Sequence, residues 1–227
     1  GQDHFISKMK FDKKGKMWIT TLGAGLMEFD TAKRQYINQY LLEPGDGFKG
    51  GTNRIFDMAA TDFPGQEDIL WLVADRPGLT AFNTTTRTFI SYSSDRPDSR
   101  SGVYKNGYCL YFHPEDGLWI GGIKGLYRYD RRLQVYTTHD FNYSFPNGCI
   151  SEVFDAYADP ADATGNTLWI ATWGCGIYKY NLQTKKLEEL PAWIKKSLRP
   201  PGVSSYFCVL RDRQGMLWAG SSDDGLL

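Results

Sequence analysis

The chain has 227 residues and a mass of 25.8 kDa, enough for one or two domains with a sizeable core. Hydrophobic residues make up 41% and charged residues 23%, a folded rather than a disordered balance. Lys+Arg and Asp+Glu both number 26, and this zero net charge argues against a nucleic-acid partner, which takes a basic surplus to displace counterions from phosphates. The longest apolar runs, such as residues 69–74, are too short to span a bilayer, and no basic-then-apolar segment opens the chain, so any targeting peptide is expected outside it. The surplus is in aromatics (13 Phe, 14 Tyr, 7 Trp) and in 24 Gly, a composition of strands and tight turns.

Taken in chain order, the first predicted strand is Ile6 to Phe11, the second Met17 to Thr21, the third Leu26 to Phe29 and the fourth Gln35 to Tyr40. Asp12-Lys13-Lys14-Gly15, Gly23-Ala24-Gly25 and Asp30-Thr31-Ala32-Lys33 supply the turns between them. The same four-strand unit then recurs. Trp18, Trp71, Trp119, Trp169 and Trp218 stand in matching contexts at spacings of 53, 48, 50 and 49 residues. A Gly followed by Leu or Ile comes six or seven residues after each: Gly25, Gly78, Gly125, Gly176 and Gly225. An aromatic and a turn-former follow at Phe29-Asp30, Phe82-Asn83, Tyr129-Asp130 and Tyr180-Asn181, and another large apolar residue at Tyr36, Phe89, Tyr136 and Leu187. Only Ala192 to Leu198, bounded by Pro191 and Pro200-Pro201, reads as a short helix.

The second strand of each unit is apolar at consecutive positions, so it is covered on both faces. The position two after each tryptophan is often small (Thr20, Val73, Gly121, Ala171, Gly220), which permits close approach of neighbouring sheets. Stacked antiparallel units of about 50 residues describe the blades of an all-β propeller. The expected blades are 5–40, 53–93, 105–139, 149–190 and a partial 204–227. About four and a half blades make a single propeller region, expected to be an open arc of a larger, seven-bladed propeller.

The units resemble the two-component regulator propeller repeat, which runs Asp-x-x-Gly-x-Leu-Trp-Ile-Gly-Thr and then Gly-Leu with an aromatic-x-aromatic-Asp strand. The matching residues are Asp12-x-x-Gly15 to Trp18, Asp116-Gly117-Leu118-Trp119-Ile120-Gly121 with Gly125-Leu126-Tyr127-Arg128-Tyr129-Asp130, and Asp212-x-x-Gly215 to Trp218. The versions around Pro64-Gly65 and at Thr164 to Trp169 carry insertions. Gly-His with Trp-Asp pairs, and in-register Gly-Gly pairs, are absent, which sets the chain apart from WD and kelch repeats. The resemblance implies the extracytoplasmic sensor of a membrane-bound histidine kinase or hybrid regulator, a class that in Bacteroidetes often answers to oligosaccharides. It also implies a periplasmic or extracytoplasmic location, a homodimeric full-length protein, and membrane and kinase segments beyond this sequence.

The chemistry expected of the chain itself is recognition. The five repeat tryptophans read as blade core and the Asp-x-x-Gly stretches as structural turns, since one carboxylate poorly serves a calcium ion wanting six to eight oxygens. His4, His113 and His139 have no metal-ligand spacing, and neither a nucleophile elbow nor a phosphate loop occurs, so no catalytic residue, metal or cofactor is assigned. Cys109 and Cys208, each ten residues before its tryptophan, read as small buried residues. If residue 156 faces 168 across its hairpin, Cys149 faces Cys175, either as a disulfide in an oxidising compartment or as a reduced buried pair. Ligand-binding candidates lie on the loops joining the second strand to the third and one blade to the next: Arg54, Arg76, Lys124, Tyr143, Asn147 and Trp173, with Asn53, Asp75 and Arg96 beside them. Trp173 either stacks on a sugar ring or packs on a neighbouring loop. The expected function is a non-catalytic sensor of a small molecule or oligosaccharide; the alternatives are a propeller glycoside hydrolase or lyase and a protein–protein scaffold.

Overall fold

A computed structural model describes residues 5–42, 53–60, 65–75, 78–91, 107–113, 117–123, 125–130, 135–141, 152–188, 190–198 and 205–227. Two compact units divide the chain, Gly1–Asp116 and Gly117–Leu227. In the first, β1 (Ile6–Phe11), β2 (Met17–Thr21), β3 (Leu26–Asp30) and β4 (Gln35–Tyr40) form one antiparallel sheet in sequence order. The next sheet holds β5 (Ile55–Ala60), β6 (Ile69–Ala74), β7 (Leu79–Asn83) and β8 (Thr88–Ser91), and β9 (Gly107–His113) follows it. The second unit begins with β10 (Gly117–Gly122), β11 (Gly125–Asp130) and β12 (Val135–Asp140). A sheet of β13 (Glu152–Ala158), β14 (Thr167–Trp173), β15 (Gly176–Asn181) and β16 (Lys186–Glu188) comes next. The helix α1 (Ala192–Ser197) leads to a three-stranded sheet of β17 (Tyr206–Arg211), β18 (Leu217–Ser221) and β19 (Gly225–Leu226). The repeated up-and-down antiparallel sheet is the propeller blade that the sequence repeat predicts, and the described residues are all-β apart from one short helix.

The Gly-Leu landmark has a backbone cause: Gly25, Gly78, Gly125, Gly176 and Gly225 all have positive φ, and at two of them a side chain would also clash. Gly25 sits at φ +72, where a Cβ would run into the Tyr40 carbonyl oxygen, and Gly125 at φ +136, where it would meet the His139 carbonyl oxygen. In both, the third strand starts against the end of the fourth, and only glycine fits. The Asp-x-x-Gly landmark is a closed hydrogen-bond device. Asp12 Oδ1 accepts the N–H groups of Lys14 and Lys16, both at 2.9 Å, while its Oδ2 accepts the indole N–H of Trp18 at 2.9 Å. Asp212 repeats this with Gln214 (3.0 Å), Met216 (2.8 Å) and the Trp218 indole (2.8 Å). Both oxygens of each carboxylate are occupied within the blade.

Two of the tryptophans, Trp18 and Trp169, look toward the blade that follows them. Trp18 is 1% exposed and clusters with Ile55, Met58, Leu70, Leu72 and Phe82 of the next repeat, its ring 5.4 Å from that of Phe82. Trp169, 3% exposed, packs with Tyr206, Val209 and Ala219. The expectation that all five are core needs one correction: Trp218 is 38% exposed, on the sheet face opposite the one by which Val209 and Ala219 pack on the preceding blade. Cys208, expected to be buried, is exposed on the same face, where its register partner Gly220 lies. Polar staples join successive blades. Asp57 Oδ2 accepts the Leu110 N–H at 2.8 Å, and at the equivalent repeat position Asp155 Oδ2 accepts the Val209 N–H at 2.9 Å.

Candidate functional site

The candidate site grows from a slip in strand pairing. Where the first strand of a blade meets the second, the register shifts between Ile6 and Lys8, Ile55 and Asp57, Val153 and Asp155, and Tyr206 and Cys208. Each shift is a β-bulge, and a bulge re-aims the side chain of the extra residue. The extra residues are Ser7, Phe56, Phe154 and Phe207, so three of the four are aromatic.

In the first unit Phe56 meets Tyr108 edge-on, with ring centroids 5.4 Å apart. The Arg54 guanidinium lies over Phe56 at 5.6 Å and reaches toward Asp75 at 4.0 Å. Arg54 therefore has an intramolecular occupation, although its side chain is 49% exposed. Asn53 is committed to the fold: at φ 54 its carbonyl accepts the N–H groups of Gly23 and Gly25, and its Oδ1 accepts that of Leu42.

In the second unit Trp173 closes β14 and stays 46% exposed. Its ring lies 5.6 Å from Phe154 at 35° and 5.5 Å from Phe207 at 64°, and those two rings are themselves 5.5 Å apart at 82°. Phe207 is 41% exposed, and Glu152 is the register partner of Trp173. Sequence reasoning found Trp173 but missed Phe154 and Phe207. A period-two reading places strand residues on alternate faces and cannot locate a one-residue bulge.

Arg76, Lys124, Tyr143, Asn147, Arg96 and Cys149 lie outside the described residues. Cys175 is buried and disulfide-bonded, whereas Cys109 and Cys208 are thiols. The hairpin register differs from the one assumed for that pair: Ala156 faces Ile170, two residues from 168, and the bulge at Phe154 takes back one of those two, so that Glu152 meets Trp173 and not residue 172.

Buried ionisable groups serve the structure. Burial opposes ionisation of Glu28, yet hydrogen bonds from Lys16 (2.6 Å) and Asn38 (2.8 Å), with the Lys16 and Arg87 charges, hold its pKa below the usual carboxylate range. Burial pushes the Asp57 carboxyl up, against the Lys8 ammonium and the N–H groups of Leu110 and Met58. His139 pairs through Nδ1 with the Tyr180 hydroxyl at 3.1 Å and packs on Trp119, and burial raises that phenol to about 12. Among the described residues, no group of three His, Cys, Asp or Glu side chains could hold a metal ion.

Recurring four-stranded blades, tryptophan cores and Asp-capped turns define a β-propeller. No family model matches the chain, and no curated protein does. Among solved structures it is similar to the extracellular domain described as that of the hybrid two-component system BT3049 from B. thetaiotaomicron, with a TM-score of 0.70 and 21% identity. That match covers 98% of this chain and 28% of the other. The extracellular domain of BT4673 from the same organism, described as a hybrid two-component system, matches at a TM-score of 0.56 and 19% identity over 100% of this chain and 32% of that one. The present chain thus spans about a third or less of the proteins it is similar to, and what it shares with them is the fold.

Proposed function

We propose that the chain is a ligand-sensing propeller segment from the extracytoplasmic part of a two-component signalling protein, non-catalytic in itself, with an oligosaccharide or related small molecule as signal. The observation that carries this reading is the likeness in fold, along nearly the whole chain, to extracellular domains described as parts of two-component systems. The disulfide at Cys175 agrees with an oxidising compartment such as the periplasm. The exposed aromatic surface at Trp173 suits recognition of a sugar ring, and the buried carboxylates named above are occupied by structural partners. In the parent protein, a dimeric histidine kinase or hybrid regulator would carry the signal onward.

The test is a thermal-unfolding screen of the chain against soluble oligosaccharides, with each sugar recovered and chromatographed afterwards. A sensor raises the Tm with one class of sugar and returns it intact, because a ligand at about 100 times its Kd stabilises by about 2.7 kcal/mol. Cleaved products would replace this reading with a propeller glycoside hydrolase or lyase.

A further inference from the structure

We propose that Phe154, Trp173 and Phe207 form one stacking platform that takes the flat, C–H-rich face of a ligand ring, with the Glu152 carboxylate placed to accept hydroxyl hydrogens at its edge. This rests on the sensing function above and adds where the ligand sits and which groups hold it.

The internal repeat supplies the control. Four residues past each core tryptophan, at the end of the second strand, stand Leu22, Asp75, Ile123, Trp173 and Ser222. Aliphatic, acidic and hydroxyl side chains all satisfy the blade at this position, so the fold does not call for an indole there. The chain nevertheless keeps a large aromatic at that point with 46% of its surface in water, beside a second aromatic, Phe207, that is 41% exposed. Leaving such surface wet forgoes burial free energy that packing would recover, and grouped exposed aromatics mark recognition surfaces.

Ring spacing decides which ligand chemistry fits. Centroids 5.5–5.6 Å apart are those of rings in mutual contact, which leaves no room for an ammonium group between them. The cluster is therefore a continuous surface and not a cation cage, and a ligand must lie upon it face-on. Register pairing puts Glu152 beside Trp173 on the same side of the sheet, where its carboxylate can only accept hydrogen bonds. A ring carrying hydroxyls at its rim meets both demands. The equivalent place in the first unit differs: Arg54 covers Phe56 and engages Asp75, so that aromatic pair is already capped.

The experiment is calorimetric titration of the 227-residue chain with a panel of soluble neutral oligosaccharides. For the sugar that binds, Trp173→Ala and Phe207→Ala should each weaken affinity at least about tenfold. Trp173→Phe, which keeps a stacking ring, should stay within about threefold, and the exposed Trp193→Ala on α1 should change nothing. Unchanged circular dichroism and Tm would show that the variants fold. If Trp173→Ala and Phe207→Ala both bind within twofold of the parent chain, the platform is wrong while sensing stands. If the parent chain binds no member of the panel, sensing and platform fall together.

Discussion

Asp12 shows how one side chain can make a repeat. Its Oδ1 closes the turn through two backbone N–H groups, and its Oδ2 satisfies an indole N–H that would otherwise be buried without a partner in a tryptophan only 1% exposed. Asp12→Ala removes three hydrogen bonds at once and should cost about 2–3 kcal/mol, read as a lower urea midpoint at constant slope. Asp212→Ala breaks the same set, but Trp218 is 38% exposed and water can take over the indole, so about 1 kcal/mol is expected. Equal losses in the two variants would mean that the indole bond contributes nothing. The repeat of Trp169 lacks this pairing. Asp162 accepts from the Thr164 hydroxyl and the Thr167 N–H, the Trp169 indole N–H is buried without a hydrogen-bond partner among the described residues, and the Lys179 ammonium lies 5.2 Å from the ring. The aspartates and tryptophans were legible in the sequence as separate landmarks. Their pairing was not, because spacing alone does not say which way an indole edge points.

At the scale of strands and blades, charge is concentrated where one sheet meets the next, and these groups give the chain its acid response. Glu28 is 1% exposed and receives Lys16 at 2.6 Å and Arg87 at 3.6 Å, the latter from the second blade. Its folded pKa lies below the unfolded value, so its stabilisation is complete above about pH 4.5 and is lost as pH falls through the folded pKa. Asp159, held by Arg211 at 3.0 Å and Lys179 at 3.3 Å between the fourth and fifth blades, has a lowered pKa and acts with the same sign. Asp57 acts with the opposite sign: its raised pKa favours the native state most at low pH and less as pH rises through the folded value. The depressed carboxylates outnumber it, so Tm should fall steadily from pH 5 to pH 3. Glu28→Gln should be less stable than the parent chain by about 1–3 kcal/mol at pH 7 and should show a flatter Tm profile over the acid range. A profile of unchanged slope would remove Glu28 from the account.

For the whole chain, the blade count was legible because tryptophan, glycine and turn recur at fixed distances, and four strands per blade follow from that period. The directionality of the stack was not. Nothing in the repeat itself says that a core tryptophan faces the following blade, as the contacts of Trp18 with Phe82 and of Trp169 with Val209 reveal. From that direction comes the last expectation. The final sheet has one covered face, with Val209 2% and Ala219 3% exposed against the preceding blade. On its other face stand Leu210 (45%), Trp218 (38%) and Leu226 (66%), joined by register through Leu210–Trp218 and Gly220–Leu226. A contiguous apolar sheet face that every earlier blade buries will find a partner, and a net charge of zero offers no long-range repulsion against it. The isolated 227-residue chain should therefore self-associate reversibly in sedimentation velocity as its concentration rises to about 100 μM. Leu210→Lys with Trp218→Ser should return it to a single monomeric species and leave the platform at Trp173 able to bind. A parent chain that stays monomeric across that range would show that the exposed face is not sticky enough to matter.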